Sequence, residues 1–161
     1  DRPYWEEIFF EMMHGLQFLP NSPTLMNAGL PGGQLSACFA LPVPDSISGI
    51  FGSVTAAAVI HQSGGGTGFN FSGIRPKGDF ISQGQGKAPG PLSFIRVFDC
   101  ATEEIKQAGR RRGANMGILN ADHPDIEAFT HAKETGKSLQ NFNLSIGVND
   151  AFMEAVSTGA S

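Results

Sequence analysis

Residues 64–74, Gly64-Gly65-Gly66-Thr67-Gly68-Phe69-Asn70-Phe71-Ser72-Gly73-Ile74, decide how this chain is read. Just upstream, Ile47, Ile50, Phe51, Val54, Ala58 and Ile60 recur at helical spacing behind Asp45 or Ser46, either of which can cap a helix. That helix runs into the glycines at 64–66, and the alternation from Phe69 to Ile74 predicts a strand. A capped helix feeding a short apolar strand through glycines is one turn of an α/β repeat. The rest of the chain either continues the repeat or breaks it.

It continues in both directions. Gln34 to Leu41 reads as a short strand stopped by Pro42 and Pro44. Phe94, Val97, Phe98, Ala101 and Ile105 mark a long helix that Gly109 can end, and Arg112 to Asn120 is a strand or extended stretch. Asp122-His123-Pro124 opens a further helix with Ile126, Phe129 and Ala132 inward. Asn141 to Val148 alternates as a strand, and Asn149 or Asp150 caps a last helix through Val156. Before all this, Trp5, Ile8, Phe9, Met12, Met13 and Leu16 form one helix over 4–19, and 21–29 is a turn-rich loop. Alternating strands and helices predict an α/β architecture with a mostly parallel sheet, with ligands at the carboxyl ends of its strands.

Composition bounds the function. The chain has 161 residues, 40% hydrophobic and only 16% charged, with thirteen Phe that require a core. A net charge of −4 argues against nucleic-acid binding through a basic surface. No stretch reaches the roughly 20 apolar residues of a membrane span, and no signal peptide is visible. Asp1 in place of Met suggests an internal piece of a larger protein. Two cysteines make no disulfide framework and no CxxC metal pattern, which points to a reducing, cytoplasmic setting. His14, His61, His123 and His131 lack metal-ligand spacing, so no metal site is expected.

Positive charge is concentrated at Arg110-Arg111-Arg112, followed by Gly113-Ala114-Asn115-Met116-Gly117. Guanidinium groups give charge-assisted hydrogen bonds to phosphate oxygens, and glycine lets backbone approach a flat ligand. The same arginines also suit a helix C-terminus facing water. Neither glycine-rich stretch carries a Walker or dinucleotide fingerprint, so nucleotide handling by another fold is expected. Cys38 is either a small buried hydrophobe or a redox thiol that needs a partner cysteine; Cys100 reads as packing. Asp45 is a helix cap or a ribose-hydroxyl acceptor. Arg75 and Lys77 form a mobile basic loop for a triphosphate or for solvent. His123, before Pro124, reads as helix-start chemistry.

Taken together, Asn21-Ser22-Pro23-Thr24-Leu25-Met26-Asn27-Ala28-Gly29, Ser36-Ala37-Cys38-Phe39 and Asp45-Ser46-Ile47 resemble the start of the catalytic barrel of ribonucleotide reductases. Ser63 through Asp79, Lys106-Gln107 through Gly117, Asp122 to Ile126 and Asn141-Phe142-Asn143 resemble the adenosylcobalamin-dependent class II branch. The resemblance implies the first half of a ten-stranded α/β barrel over 21–161, preceded by a helix at 1–20. It implies reduction of ribonucleotides to 2′-deoxyribonucleotides by radical chemistry, with adenosylcobalamin bound mostly by residues past Ser161.

By the same resemblance, Cys38 is the substrate-reducing cysteine. Ser22, Ala37, Gly66 and Arg112 lie with it at the ribonucleotide substrate. Asp45, Ile47, Arg75, Lys77, Arg111 and Asn115 lie at an allosteric deoxynucleoside triphosphate effector. Arg75 to Gln85 looks like a first specificity loop, and Arg111 to Met116 like a second that touches effector and substrate. A thioredoxin-type or dithiol reductant is implied, and the choice between monomer and homodimer stays open. The alternatives are an iron-dependent class I large subunit and a nucleotide-binding regulatory module without redox chemistry.

Overall fold

The structure is a computed structural model that describes residues 1–81, 86–105, 113–134, 136 and 138–159. The chain divides into two compact units, Asp1–Ala37 and Cys38–Ser161; the family resemblance implies a boundary after residue 20.

The first unit is helical. α1 (Arg2–His14) opens with Pro3 in its first turn and closes at Gly15, five residues short of the expected stop before Pro20. The stretch expected as loop contains a second helix, α2 (Ser22–Asn27), whose first turn is capped by the Asn21 side chain accepting from the Thr24 N–H at 3.0 Å. An Asn cap followed by Pro at the second helical position starts a helix as readily as a turn, and here the helix forms.

The second unit runs β1 (Cys38–Leu41), α3 (Ile47–Gln62), β2 (Gly66–Asn70), α4 (Pro91–Glu104), β3 (Asn115–Asn120), α5 (Ile126–Thr130), β4 (Phe142–Gly147) and α6 (Asp150–Thr158). The four strands form one parallel sheet in the order β1-β2-β3-β4. Parallel crossovers are right-handed, and an order that always advances the same way puts every crossover helix on one face. Burial along the strands obeys this. Thr67, Phe69, Asn115, Leu119 and Phe142 are buried toward the helices, while Cys38, Ala40 and Met116 are exposed on the other face. A one-sided parallel sheet of this kind is the building unit of a barrel, not of a doubly wound fold.

Phenylalanine holds the helix layer to the sheet. Phe69 and Phe98 stand 4.6 Å apart between ring centroids, and Phe71 packs edge-on against Phe98 at 5.6 Å. Ile50, Ile74, Ile95, Leu119, Phe129 and Phe142 complete this core. Each such side chain contributes about 1.5–3 kcal/mol by leaving water.

The glycine run serves the fold first. Gly64, at φ +83°, leaves α3 in the left-handed region that L side chains avoid. A Cβ on Gly65 would lie 2.6 Å from Ile60 and 3.1 Å from Phe39. The strand expected at 69–74 begins earlier, at Gly66, because pairing with β1 and β3 outweighs glycine's weak strand preference. Ser46 and Asn149 cap α3 and α6 with their side chains as expected, accepting from Gly49 and Phe152.

Candidate functional site

Cys38 opens β1, with Gly66 of β2 as its register partner. Strand side chains alternate between faces, so the half-buried Phe39 and Leu41 meet the helices and leave Cys38 and Ala40 on the uncovered side. Gly66 has no side chain to shield the thiol from that direction. Cys38 is therefore an exposed free thiol, and its reading as a buried hydrophobe is overturned. Cys100 on α4, expected as packing, is exposed and free as well. Of the other expected substrate residues, Ser22 is exposed at the start of α2 and Ala37 is buried, both in the first unit.

Cys38 and Gly66 stand at the amino ends of their strands, whereas ligands are expected at carboxyl ends. That expectation fits a second cluster instead. Asp45 follows β1 and Arg75 follows β2, and Arg75 Nε donates to Asp45 Oδ2 at 2.7 Å. The terminal guanidinium nitrogens make no hydrogen bond among the described residues, so donors remain for an anion. The pair borders a cavity of about 250 Å³ whose walls include Ile47, Ile81, Ala88 and Phe94. On its other side, Asp45 and Arg75 also line a cavity of about 490 Å³ with Ser72, Asn120 and Asp122. An apolar slot with a carboxylate and a guanidinium at its rim can take a flat base and the hydroxyl or phosphate attached to it.

The segment at 75–79 is held more firmly than the sequence suggests. The Lys77 backbone N–H donates to Asp125 Oδ2 at 2.8 Å, and His123 Nε2 lies 2.9 Å from the Ile74 carbonyl oxygen. His123 Nδ1 accepts from the Asp125 N–H at 3.0 Å, so the ring does organise the start of α5, as expected. With the Ile74 carbonyl as acceptor, its proton resides on Nε2. The Lys77 side chain is exposed and does not line either cavity.

Asn115 departs most from its expected place. It is only 2% exposed, and its amide is hydrogen-bonded to Thr67 and Thr102, with His61 joined through Thr67. An amide spent on buried neighbours is not set to meet an effector. Burial lowers the His61 pKa from its ordinary value, so the ring is held neutral. His61, Thr67 and Thr102 carry no signal in the sequence, because Thr67 and Asn115 are 48 residues apart and no periodicity joins them. Arg111 and Arg112, with Arg110, lie outside the described residues, as does Gln85 at the end of the expected first loop. Among the described residues no group of three or more His, Cys, Asp or Glu side chains could hold a metal ion, and no helix is long and apolar enough to cross a membrane.

The model of the ribonucleotide reductase all-alpha domain matches residues 1–33, and that of the ribonucleotide reductase barrel domain matches residues 36–161. The vitamin B12-dependent ribonucleoside-diphosphate reductase of Thermoplasma acidophilum is 58% identical over 147 residues, which are 91% of this chain and 19% of that protein. The enzyme of the same name from Mycobacterium tuberculosis is 49% identical over 153 residues, 94% of this chain and 22% of that protein. Among solved structures, the class Id ribonucleotide reductase alpha subunit of Actinobacillus ureae superimposes with a TM-score of 0.72 at 26% identity, covering 86% of this chain and 25% of that one. The chain thus spans about a fifth of the length of the curated relatives it matches.

Proposed function

This chain belongs to the ribonucleotide reductase family, and from that premise we propose that it is the first part of the catalytic barrel of an adenosylcobalamin-dependent ribonucleotide reductase, with Cys38 as a substrate-reducing thiol. The observation that carries the reading is the exposed Cys38 side chain on the helix-free face of a parallel sheet. In the reaction, carbon 2′ of the ribose loses its hydroxyl as water and gains hydrogen. Two thiols supply the two electrons and two protons and become a disulfide, so Cys38 needs a second cysteine from outside residues 1–161. Adenosylcobalamin, when bound, supplies the radical that activates carbon 3′. The corrin is held by other parts of the protein in this reading, and the open face at Cys38 leaves room for the ribose. Between turnovers a thioredoxin-type or dithiol reductant restores the thiol in a reducing cytoplasm.

The Asp45–Arg75 slot is assigned to the deoxynucleoside triphosphate effector, with Ile47 against the base and the exposed Lys77 side chain reaching phosphate from outside the slot. The arginines at 110–112 are assigned to the stretch that adapts to effector and substrate. Its flanks, Ile105 and Gly113, lie at the amino end of β3, whereas Asp45 and Arg75 follow the carboxyl ends of β1 and β2. Strands of this length separate the two edges by roughly 13–20 Å, at about 3.3 Å per residue. One effector reaching both groups therefore favours a homodimer in which a second copy supplies the arginines.

The test is Cys38→Ser in the full-length enzyme with a nucleotide substrate, adenosylcobalamin and a dithiol. Multiple turnover is expected to be abolished. An unchanged steady-state rate removes Cys38 from this role, and activity without cobalamin moves the protein to the iron-dependent class.

A further inference from the structure

The polar groups buried between α3, α4 and the sheet form one directed chain of hydrogen bonds. It starts at Thr102 on α4, whose Oγ1 lies 2.8 Å from the Phe98 carbonyl oxygen. A carbonyl cannot donate, so the single hydroxyl proton of Thr102 goes there, and its lone pair accepts from Asn115 Nδ2 at 2.8 Å. The Asn115 amide is thereby oriented with Oδ1 toward Thr67, which donates its own proton to it at 2.6 Å. Thr67 Oγ1 can then only accept from His61 Nε2 at 3.0 Å. The direction forces the His61 proton onto Nε2 and leaves Nδ1 as a bare lone pair. That atom is buried without a hydrogen-bond partner among the described residues, on a side chain 3% exposed. It faces Gly113, where even a Cβ would come within 2.2 Å.

These residues bracket the arginine-bearing stretch. Thr102 stands before it and Asn115 after it, so the Asn115–Thr102 bond joins the described residues on its two sides. Thr67 and His61 extend the tie to β2 and α3, and the His61 ring lies against Gly113 at the exit of the stretch. Nothing in reducing a ribose requires a buried Thr-Asn-Thr-His chain on the helix side of the sheet. Desolvating so many polar groups is costly; the hydrogen bonds among them offset that cost and hold the four side chains in one arrangement.

We infer that His61, Thr67, Asn115 and Thr102 are positioning residues that hold together the two flanks of 106–112, at Thr102 and at Gly113 to Asn115, so that effector binding is converted into substrate choice. This inference rests on the reading of that stretch given under Proposed function. Asn115 then acts through the backbone it anchors and not by touching the effector.

The test compares Thr102→Val with Thr102→Ser in the full-length enzyme, with Thr67→Val and Thr67→Ser as a second pair should the first fold poorly. Valine keeps the volume and removes the hydroxyl; serine keeps the hydroxyl. Two quantities are read: the ratio of reduction rates for two nucleotide substrates with each deoxynucleoside triphosphate, and hydrogen exchange of the amides at 106–114. The valine variants are expected to retain effector-free activity, to lose about fivefold or more of the effector-driven preference, and to exchange faster than the parent at 106–114 but like the parent at β4. The serine variants should match the parent in both. Parental preference and exchange in the valine variants overturn the inference, and so do equal losses in valine and serine variants. A parent enzyme that reduces nucleotides with no effector-dependent preference refutes the effector reading instead, and the exchange comparison then decides the anchoring by itself.

Discussion

Arg75 Nε donates to Asp45 Oδ2 at 2.7 Å, joining the segment after β2 to the cap region of α3 across 30 residues of sequence. The two side chains are 37% and 31% exposed, which places the pair at a cavity rim and not in the core. Water reaches both charges, so the bond contributes little to folding. Its value lies in holding a guanidinium and a carboxylate side by side at the mouth of an apolar slot.

Replacing either member should therefore separate binding from stability. Arg75→Ala and Asp45→Asn in the full-length enzyme are expected to cost about 1 kcal/mol or less in denaturant unfolding. Loss of a charge-assisted contact to the effector should raise its dissociation constant about tenfold or more. Urea titration and equilibrium effector binding measure the two effects. A variant that binds effector like the parent takes the slot out of effector recognition.

Phe98 is expected to behave in the opposite way. It is 1% exposed and touches Phe69 and Phe71 across the helix–sheet boundary. Truncation to alanine should destabilise the barrel part by about 3–5 kcal/mol, since neighbouring rings cannot collapse into the space. Thermal unfolding checks this, and a loss under about 1 kcal/mol would contradict a core centred on these rings.

His61 makes a prediction about pH. Burial places its native pKa below the ordinary 6.5, so near-neutral pH finds the ring uncharged in both folded and unfolded chains. As pH falls through about 6.5 the unfolded chain takes up a proton that the folded one refuses. Stability is thus intact above that pH and declines below it until the native pKa is passed. The midpoint of urea unfolding should drop between about pH 7.5 and pH 5.5 by more in the parent than in His61→Gln. Gln retains a donor toward Thr67 but does not titrate. Parallel pH profiles would mean that the native ring protonates at its ordinary pKa.

Local signals are legible where one residue settles one end of an element. Ser46 and Asn149 cap α3 and α6 as their types suggest, and the alternation at 141–148 contains β4. The Cys38 strand is legible too, though β1 is shorter than expected because residues 34–37 make no pairing with β2. Other elements are misjudged for definite reasons. β2 starts ahead of its apolar alternation because Gly-Thr-Gly is a poor strand in isolation, and α2 hides because Asn-Ser-Pro is turn chemistry and helix-start chemistry alike. The exposure of Cys38 is open in the sequence, since a four-residue strand does not say which of its faces a helix will cover.

Periodicity, caps and glycine positions are properties of neighbouring residues, and from them the sequence alone determined the alternation of strand and helix and hence the parallel sheet. The order of strands, the uncovered face that exposes Cys38, the Asp45–Arg75 rim and the burial of Asn115 came only with tertiary structure. Each depends on groups 27 to 48 residues apart. Such contacts form because crossover handedness and core packing bring distant segments together, and no local pattern encodes which polar groups then meet.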